Sequence, residues 1–358
     1  MKYIPLAELY PGMVTGEDVY APGSSQLLLP SGFTLTAKSI ARLEFYSVFS
    51  IKIVEKKSET QKQENEFSSF SERVRSSEEF IQFSNSYSKD IDTFKDSLND
   101  IVHRNKPLET EALLSDTLSL LQTGDGRINL FDMLTNLRNL DDATYAHNIN
   151  VALICNIFAG WLHYSEEDIK IATLCGLLHD IGKMMVPEEI LKKKGKLTRQ
   201  EYDIVKAHTV KGYQKLRELH VDNRVCNAAL MHHERYDGSG YPLGLEGEQI
   251  SSFACLVGIA DVYDAMTSAR AYRPPVCPFD VISLLETDGY QKYSPQYLMT
   301  FLENIVNSYL LNTVRLSDGR EGTLVYVNRD KFSCPTVKVG EEYVDLFKQT
   351  DLTIVKVL

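Results

Sequence analysis

Five histidines and two aspartates of this chain lie beside apolar helix faces, where polar side chains are costly to bury without a partner. In DDATYAHNINVALICNIF, His147 shares a face with Val151, Ile154 and Phe158, at spacings of four, seven and eleven. In IATLCGLLHDIGK, His179 lies four residues after Cys175 and eight after Ile171; Asp180 follows it directly, and Gly182 is placed to end that helix. A helix opened by the capping-box sequence Thr198-Arg199-Gln200-Glu201 carries Tyr202, Val205, Gly212, Leu216 and Leu219 as its stripe, and His208 borders that stripe. His232 and His233 lie three and four residues beyond Ala229, and Asp261 lies four after Val257. One inward histidine is usually a satisfied core residue. Five imidazoles and two carboxylates turned into one bundle call for a metal cluster, which pairs the charges and occupies the ring nitrogens. Such mixed sets suit Fe or Mn, with Zn as a third option, and a shared carboxylate suits two adjacent ions.

The elements that must position these groups are helices. From about 141 to 308 the pattern is helix after helix, with few alternating β-branched runs. Residues 1–55 read as a small α+β module, with turns at Pro11-Gly12 and Pro30-Ser31-Gly32, a short helix capped by Thr36, and FSIKIVE as a strand. KKSETQKQENEFSS is a polar linker or an exposed helix start. Phe80, Phe83, Tyr87, Ile91, Phe94 and Leu98 then recur at helical spacing, so 56–140 is a linker plus helices available for packing, regulation or a homodimer contact. From 312 to 358 the pattern turns to strands: Asp318-Gly319 marks a hairpin, and CPTVKV and LTIVKVL follow. The expected fold class is mainly α, a helical domain over 141–311 between a small N-terminal α+β module and a small C-terminal β module.

Composition narrows the function. A net charge of -11 argues against long nucleic acid as a partner, though a metal cluster can reverse the field inside a pocket. No apolar run is long enough to span a membrane, and MKYIPLAELY has no secretory core, so a cytoplasmic protein is expected. The six cysteines form no CxxC pair and read as small buried hydrophobes in a reducing compartment. His103, His163 and His220 sit in polar contexts and are expected at the surface.

His179-Asp180 within LLHDIGK resembles the HD motif of the HD phosphohydrolase superfamily. HHERYDGSGYP resembles the HD-GYP signature, and GIADVYDAMTSARAYR resembles the segment that follows it in that family. The resemblance covers about 141–308. It implies an all-α metal-dependent phosphodiesterase acting on cyclic di-GMP. It implies His147, His179, Asp180, His208, His232, His233 and Asp261 as metal ligands, with Asp180 bridging two divalent ions. It further implies Lys183 on a substrate phosphate, Arg270 and Arg273 as phosphate contacts, and Gly238, Gly240, Tyr241 and Pro242 as the loop at the pocket mouth. Relatives with three metals carry a Glu four residues before the first histidine. Here that position is Ala143, with Asp142 beside it, so two metals are expected. One ion is assigned to His147, His179 and Asp261, the other to His208, His232 and His233. The expected reaction is attack on phosphorus by a hydroxide bridging the two ions, giving the linear dinucleotide and then GMP. Another cyclic dinucleotide such as cyclic GMP-AMP, or a catalytically silent sensor, stands as the alternative.

Overall fold

Side chains that can accept a backbone N–H start several of the helices. Ser165 accepts from Asp168 N, Asp222 from Arg224 N and Ser251 from Ala254 N, and Thr198 and Glu201 form a full capping box. The computed structural model describes residues 2–6, 9–22, 27–36, 39, 40, 42, 43, 46, 48, 50–54, 74–104, 106–122, 129–137, 143–191, 193, 197–268 and 275–358. Among them lie α1 (Glu78–Arg104), α2 (Thr110–Leu121), α3 (Leu130–Asn136), α4 (Ala143–Trp161), α5 (Glu166–Leu178) and α6 (Glu188–Leu191). They are followed by α7 (Arg199–Lys206), α8 (His208–Glu218), α9 (Asn223–Met231), α10 (Ser252–Thr267), α11 (Pro278–Asp288) and α12 (Pro295–Asn307). The architecture is mainly α.

Helices α4 and α10 are the centre of the bundle. Ile149, Val151, Ala152, Leu153, Ile154 and Cys155 of α4 and Leu256, Val257, Ile259 and Ala260 of α10 are all buried. A helix enclosed on every side has no polar face to display. The apolar stripe of α1, Phe80 to Leu98, is buried too, and α1 packs against α4. Those side chains are therefore used inside the chain. The single helix expected over 198–219 is broken at Ala207 into α7 and α8, with His208 as the first residue of the second piece. No residue of α7 is buried, so nothing draws its stripe into line with that of α8.

Two β units flank the bundle. Strands β1 (Lys2–Pro5), β5 (Ser50–Val54) and β2 (Val14–Thr15) form an antiparallel sheet, and β3 (Val19–Tyr20) pairs with β4 (Leu27–Leu29). Thr36 and Ser39 exchange N–H to hydroxyl hydrogen bonds, as a cap does, although half of the helix expected after Thr36 lies outside the described residues. At the other end, β6 (Thr313–Leu316), β7 (Glu321–Tyr326), β8 (Thr336–Val339), β9 (Glu342–Asp345) and β10 (Ile354–Val357) form a sheet in the order β10-β6-β7-β8-β9. Both units dock on the same part of the bundle. Arg42 pairs with Asp288 at 3.3 Å, and the Lys292 ammonium lies 4.1 Å from the Tyr46 ring. The Glu286 carboxylate accepts from the Phe332 and Ser333 amides. No helix among the described residues is long and apolar enough to cross a membrane.

Candidate metal centre

The helices deliver the polar residues at their ends. His179 caps the C-terminus of α5 and Asp180 follows it. His208 opens α8, and His232 caps the C-terminus of α9 with His233 next. His147 and Asp261 come from within α4 and α10. Gly182 does not end α5. It lies in a 3-10 turn, Ile181–Met185, that presses on α8, where a Cβ would stand 1.8 Å from the His208 carbonyl oxygen. Only a glycine permits that approach, which carries Asp180 to His208.

The two oxygens of Asp180 face different partners. Oδ1 lies 3.3 Å from His208 Nε2 and 3.7 Å from His232 Nε2. Oδ2 lies 3.3 Å from His179 Nε2 and 4.0 Å from His147 Nε2. Asp261 Oδ1 is 3.0 Å from His147 Nε2 and 4.0 Å from His179 Nε2. Two donor groups result, Asp180 with His208, His232 and His233, and Asp180 with His147 and His179.

The outward ring nitrogens are engaged. The Nδ1 of His179 is 2.7 Å from the Gly176 carbonyl, that of His208 is 2.7 Å from the Val205 carbonyl, and that of His232 is 3.0 Å from the Ala229 carbonyl. The Nδ1 of His147 is 2.7 Å from Asp264 Oδ2. Facing only acceptors, each Nδ1 carries a proton and donates, which turns each Nε2 inward; that of His147 also donates, to Asp261 Oδ1 at 3.0 Å, a proton that a bound cation would displace. His179 Nε2 and Asp180 Oδ1 are buried with no hydrogen-bond partner among the described residues. Divalent cations fit this donor set: it offers imidazole nitrogens and carboxylate oxygens converging on buried, unsatisfied atoms.

The electrostatics divide the same way. Burial pushes the Asp180 carboxyl up, but Lys183 and His179 outweigh it and hold the group well below the usual range. Burial likewise opposes ionisation of Asp261, and His147 overcomes it. Burial lowers His147, yet its hydrogen bonds to Asp261 and Asp264 hold it up at about 9. Burial takes His232 down to about 4 and His233 well below its usual value, with the neighbouring imidazoles adding to the effect. Neutral imidazoles are the form that binds a metal.

Around this centre, Lys183 is ion-paired with Asp180 and partly exposed. The Tyr241 ring stacks on His233, centroids 4.8 Å apart, and its N–H donates to the His233 carbonyl. Gly240 lies against the 233–235 backbone, where a Cβ would meet Arg235 N at 2.3 Å, and Gly238 has a φ of +75°. The Tyr241–Pro242 peptide is cis. Buried Glu234 closes the loop by accepting from the Leu243 and Leu245 amides at 2.7 and 3.0 Å. Arg270, Arg273 and Asp142 lie outside the described residues. His103, His163 and His220 are exposed; the last two have φ of 57° and 56° at helix C-termini. Sequence reasoning passed over Asp264, Asn150 and Glu234. Asp264 could have been found, since it stands one turn beyond Asp261 on the same apolar helix.

Residues 130–296 match the model of the HD domain family. A cyclic di-GMP phosphodiesterase of Pseudomonas aeruginosa is 38% identical over 208 residues, 58% of this chain and 50% of that protein. Residues 130–296 of the chain are an HD domain. A 3'3'-cGAMP-specific phosphodiesterase of Vibrio cholerae is 41% identical over 142 residues, 40% of this chain and 33% of that protein. The chain spans about half or less of the length of these curated relatives. Among solved structures, Bd1817, a HDG"Y"P protein from Bdellovibrio bacteriovorus, is similar with a TM-score of 0.52 at 15% identity, over 85% of this chain and 99% of that one. It shares the fold.

Proposed function

We propose that this chain is a metal-dependent phosphodiesterase that hydrolyses cyclic di-GMP to the linear dinucleotide and then to GMP. The observation that carries the reading is the division of Asp180, whose two oxygens face two separate histidine groups. A carboxylate so placed is suited to bridge two divalent ions, which we take to be Fe or Mn, with Zn as a third option. His147, His179 and Asp261 would hold one ion, and His208, His232 and His233 the other. When bound, such ions supply an acidified water and neutralise charge on the phosphoryl oxygens.

The chain's own residues do the rest. Lys183 places a cation beside Asp180, at the partly exposed side of the cluster, where it would hold a phosphate oxygen. Tyr241, stacked on His233, offers a ring face at the rim, and the backbone from Gly240 to Pro242 bounds that edge. Arg270 and Arg273 are assigned to the substrate's phosphates by their place in the family segment. The acidic chain is read as cytoplasmic and as a binder of small nucleotides rather than long nucleic acid. A homodimer would use surfaces other than the α1 stripe, which is buried.

The test is turnover. The full chain, loaded with Mn or Fe under anaerobic conditions, is incubated with cyclic di-GMP and the products are separated by chromatography. Linear dinucleotide is expected, and treatment with a chelator should stop its formation. Tight binding of intact cyclic di-GMP without any product would replace the enzyme by a sensor. The similarity to cGAMP-specific relatives supports a second substrate, so 3'3'-cGAMP is assayed in parallel. A much higher kcat/KM on it would move the assignment to that nucleotide.

A further inference from the structure

One network joins the candidate metal centre to a helix outside the matched HD domain. Tyr87, on α1, donates its phenol proton to Asn150 Oδ1 at 2.5 Å. Asn150 Nδ2 donates to Asp264 Oδ1 at 2.8 Å. The other carboxylate oxygen of Asp264 accepts from His147 Nδ1 at 2.7 Å. The Ser268 hydroxyl also donates to Asp264 Oδ1, at 2.7 Å. Tyr87, Asn150, Asp264 and His147 are all at most 9% exposed, so water does not compete for these bonds.

We infer that Tyr87 is a positioning residue for the metal centre, fixing His147 through Asn150 and Asp264. This rests on the metal reading above. The sense of every bond is set. Asn150 can turn its nitrogen to the Asp264 carboxylate only while its oxygen has a donor on the other side, and the phenol is that donor. Without the hydroxyl, the amide oxygen is left unsatisfied. Rotating the amide would then bring an oxygen against a carboxylate. Either result disturbs Asp264, which accepts from His147 Nδ1 and so fixes the ring with Nε2 aimed inward. The Tyr87 hydroxyl also lies 3.1 Å from the carbonyl of Ala146, beside His147. A phenylalanine fills the same space, so the ring serves packing and the hydroxyl serves the site.

The experiment measures Mn2+ affinity of the full chain by chelator competition, with circular dichroism as the fold check. Asp264→Asn should weaken Mn2+ binding by about 10–100-fold and Tyr87→Phe by a smaller factor, about 3–10-fold. The Tyr87→Phe/Asp264→Asn double variant should bind no more weakly than Asp264→Asn, because both act through one path. Wild-type affinity in Tyr87→Phe overturns the inference. So does an equal loss from Tyr87→Phe in both backgrounds, which would mark a general structural effect. If Tyr87→Phe does not fold, Asn150→Ala takes its place with the same expected non-additivity. His179→Ala is the control for the reading beneath: if it binds Mn2+ like wild type, the metal centre itself is wrong and the inference falls with it.

Discussion

The protein buries carboxylates in two settings. At the centre of the bundle, Asp180 and Asp261 are surrounded by imidazoles and Lys183, and both are held well below the usual carboxylate range. In the outer layer, Asp90 on α1 and Asp132 on α3 are also buried, but burial dominates there and pushes each up to about 7. Asp132 is met by the neutral amides of Asn129 and Asn312, and Asp90 Oδ2 has no hydrogen-bond partner among the described residues. Burial is therefore not what marks a functional carboxylate. The mark is an excess of cationic and lone-pair groups around it, more than a neutral acid would need. Asp180 keeps its charge inside the protein, as an ion-binding group must.

The sharpest way to break this contrast is to remove one member of each set. Asp180→Ala should strip both ions and lower turnover by at least about 10³-fold, the scale of losing a principal charge-stabilising group. Asp90→Asn should leave metal content and turnover at wild-type values. Metal analysis and the cyclic di-GMP assay read both variants. An active, metal-replete Asp180→Ala would place the chemistry elsewhere. A smaller effect separates charge from ligation. Lys183→Ala should reduce kcat by roughly 10²-fold with metal content unchanged, because an ammonium stabilises charge but donates no lone pair. Loss of metal in that variant would make Lys183 a support for Asp180 rather than a phosphate contact.

Much of the fold was legible, for reasons that differ by region. The α1 stripe repeats at three and four because one face is buried and the other wet. The Asp318-Gly319 turn stands between apolar strands, and Gly319 has the φ of +91° that such turns favour. The β8–β9 hairpin was not legible. Its strand Glu342–Asp345 buries only Val344, so no apolar alternation announces it, although Gly340 at φ +60° is its turn. The break at Ala207 was hidden because the spacing on both sides still looks helical. In the candidate site, His147, His179 and Asp261 stood out as polar residues within apolar runs. Asn150 and Tyr87 did not. Their roles depend on which helix lies against α4, and Tyr87 meets Asn150 from 63 positions away. Local periodicity carries no such information.

The smallest effect tests the outer layer. Asp90 moves from the usual 3.8 to about 7, raised first by burial and then by Asp116, with Thr117 opposing. A raised carboxyl favours the protonated folded state. Its contribution is fully present below 3.8 and is lost as pH rises through about 7. Asp180 has the opposite sign, since its depressed pKa contributes above the usual carboxylate value and is lost toward acid. Asparagine has nearly the shape of the protonated acid and cannot ionise. Asp90→Asn should match wild-type stability near pH 4 and exceed it by about 1–2 kcal/mol at pH 8, a discount on the ~4 kcal/mol that the full shift would allow. Urea unfolding of both proteins across that range reads the difference directly. Asp132 titrates in the same window, but it is present in both proteins and cancels. A difference that stays flat from pH 4 to 8 would mean that Asp90 ionises at its ordinary value, and the contrast between the two carboxylate settings would lose its outer half.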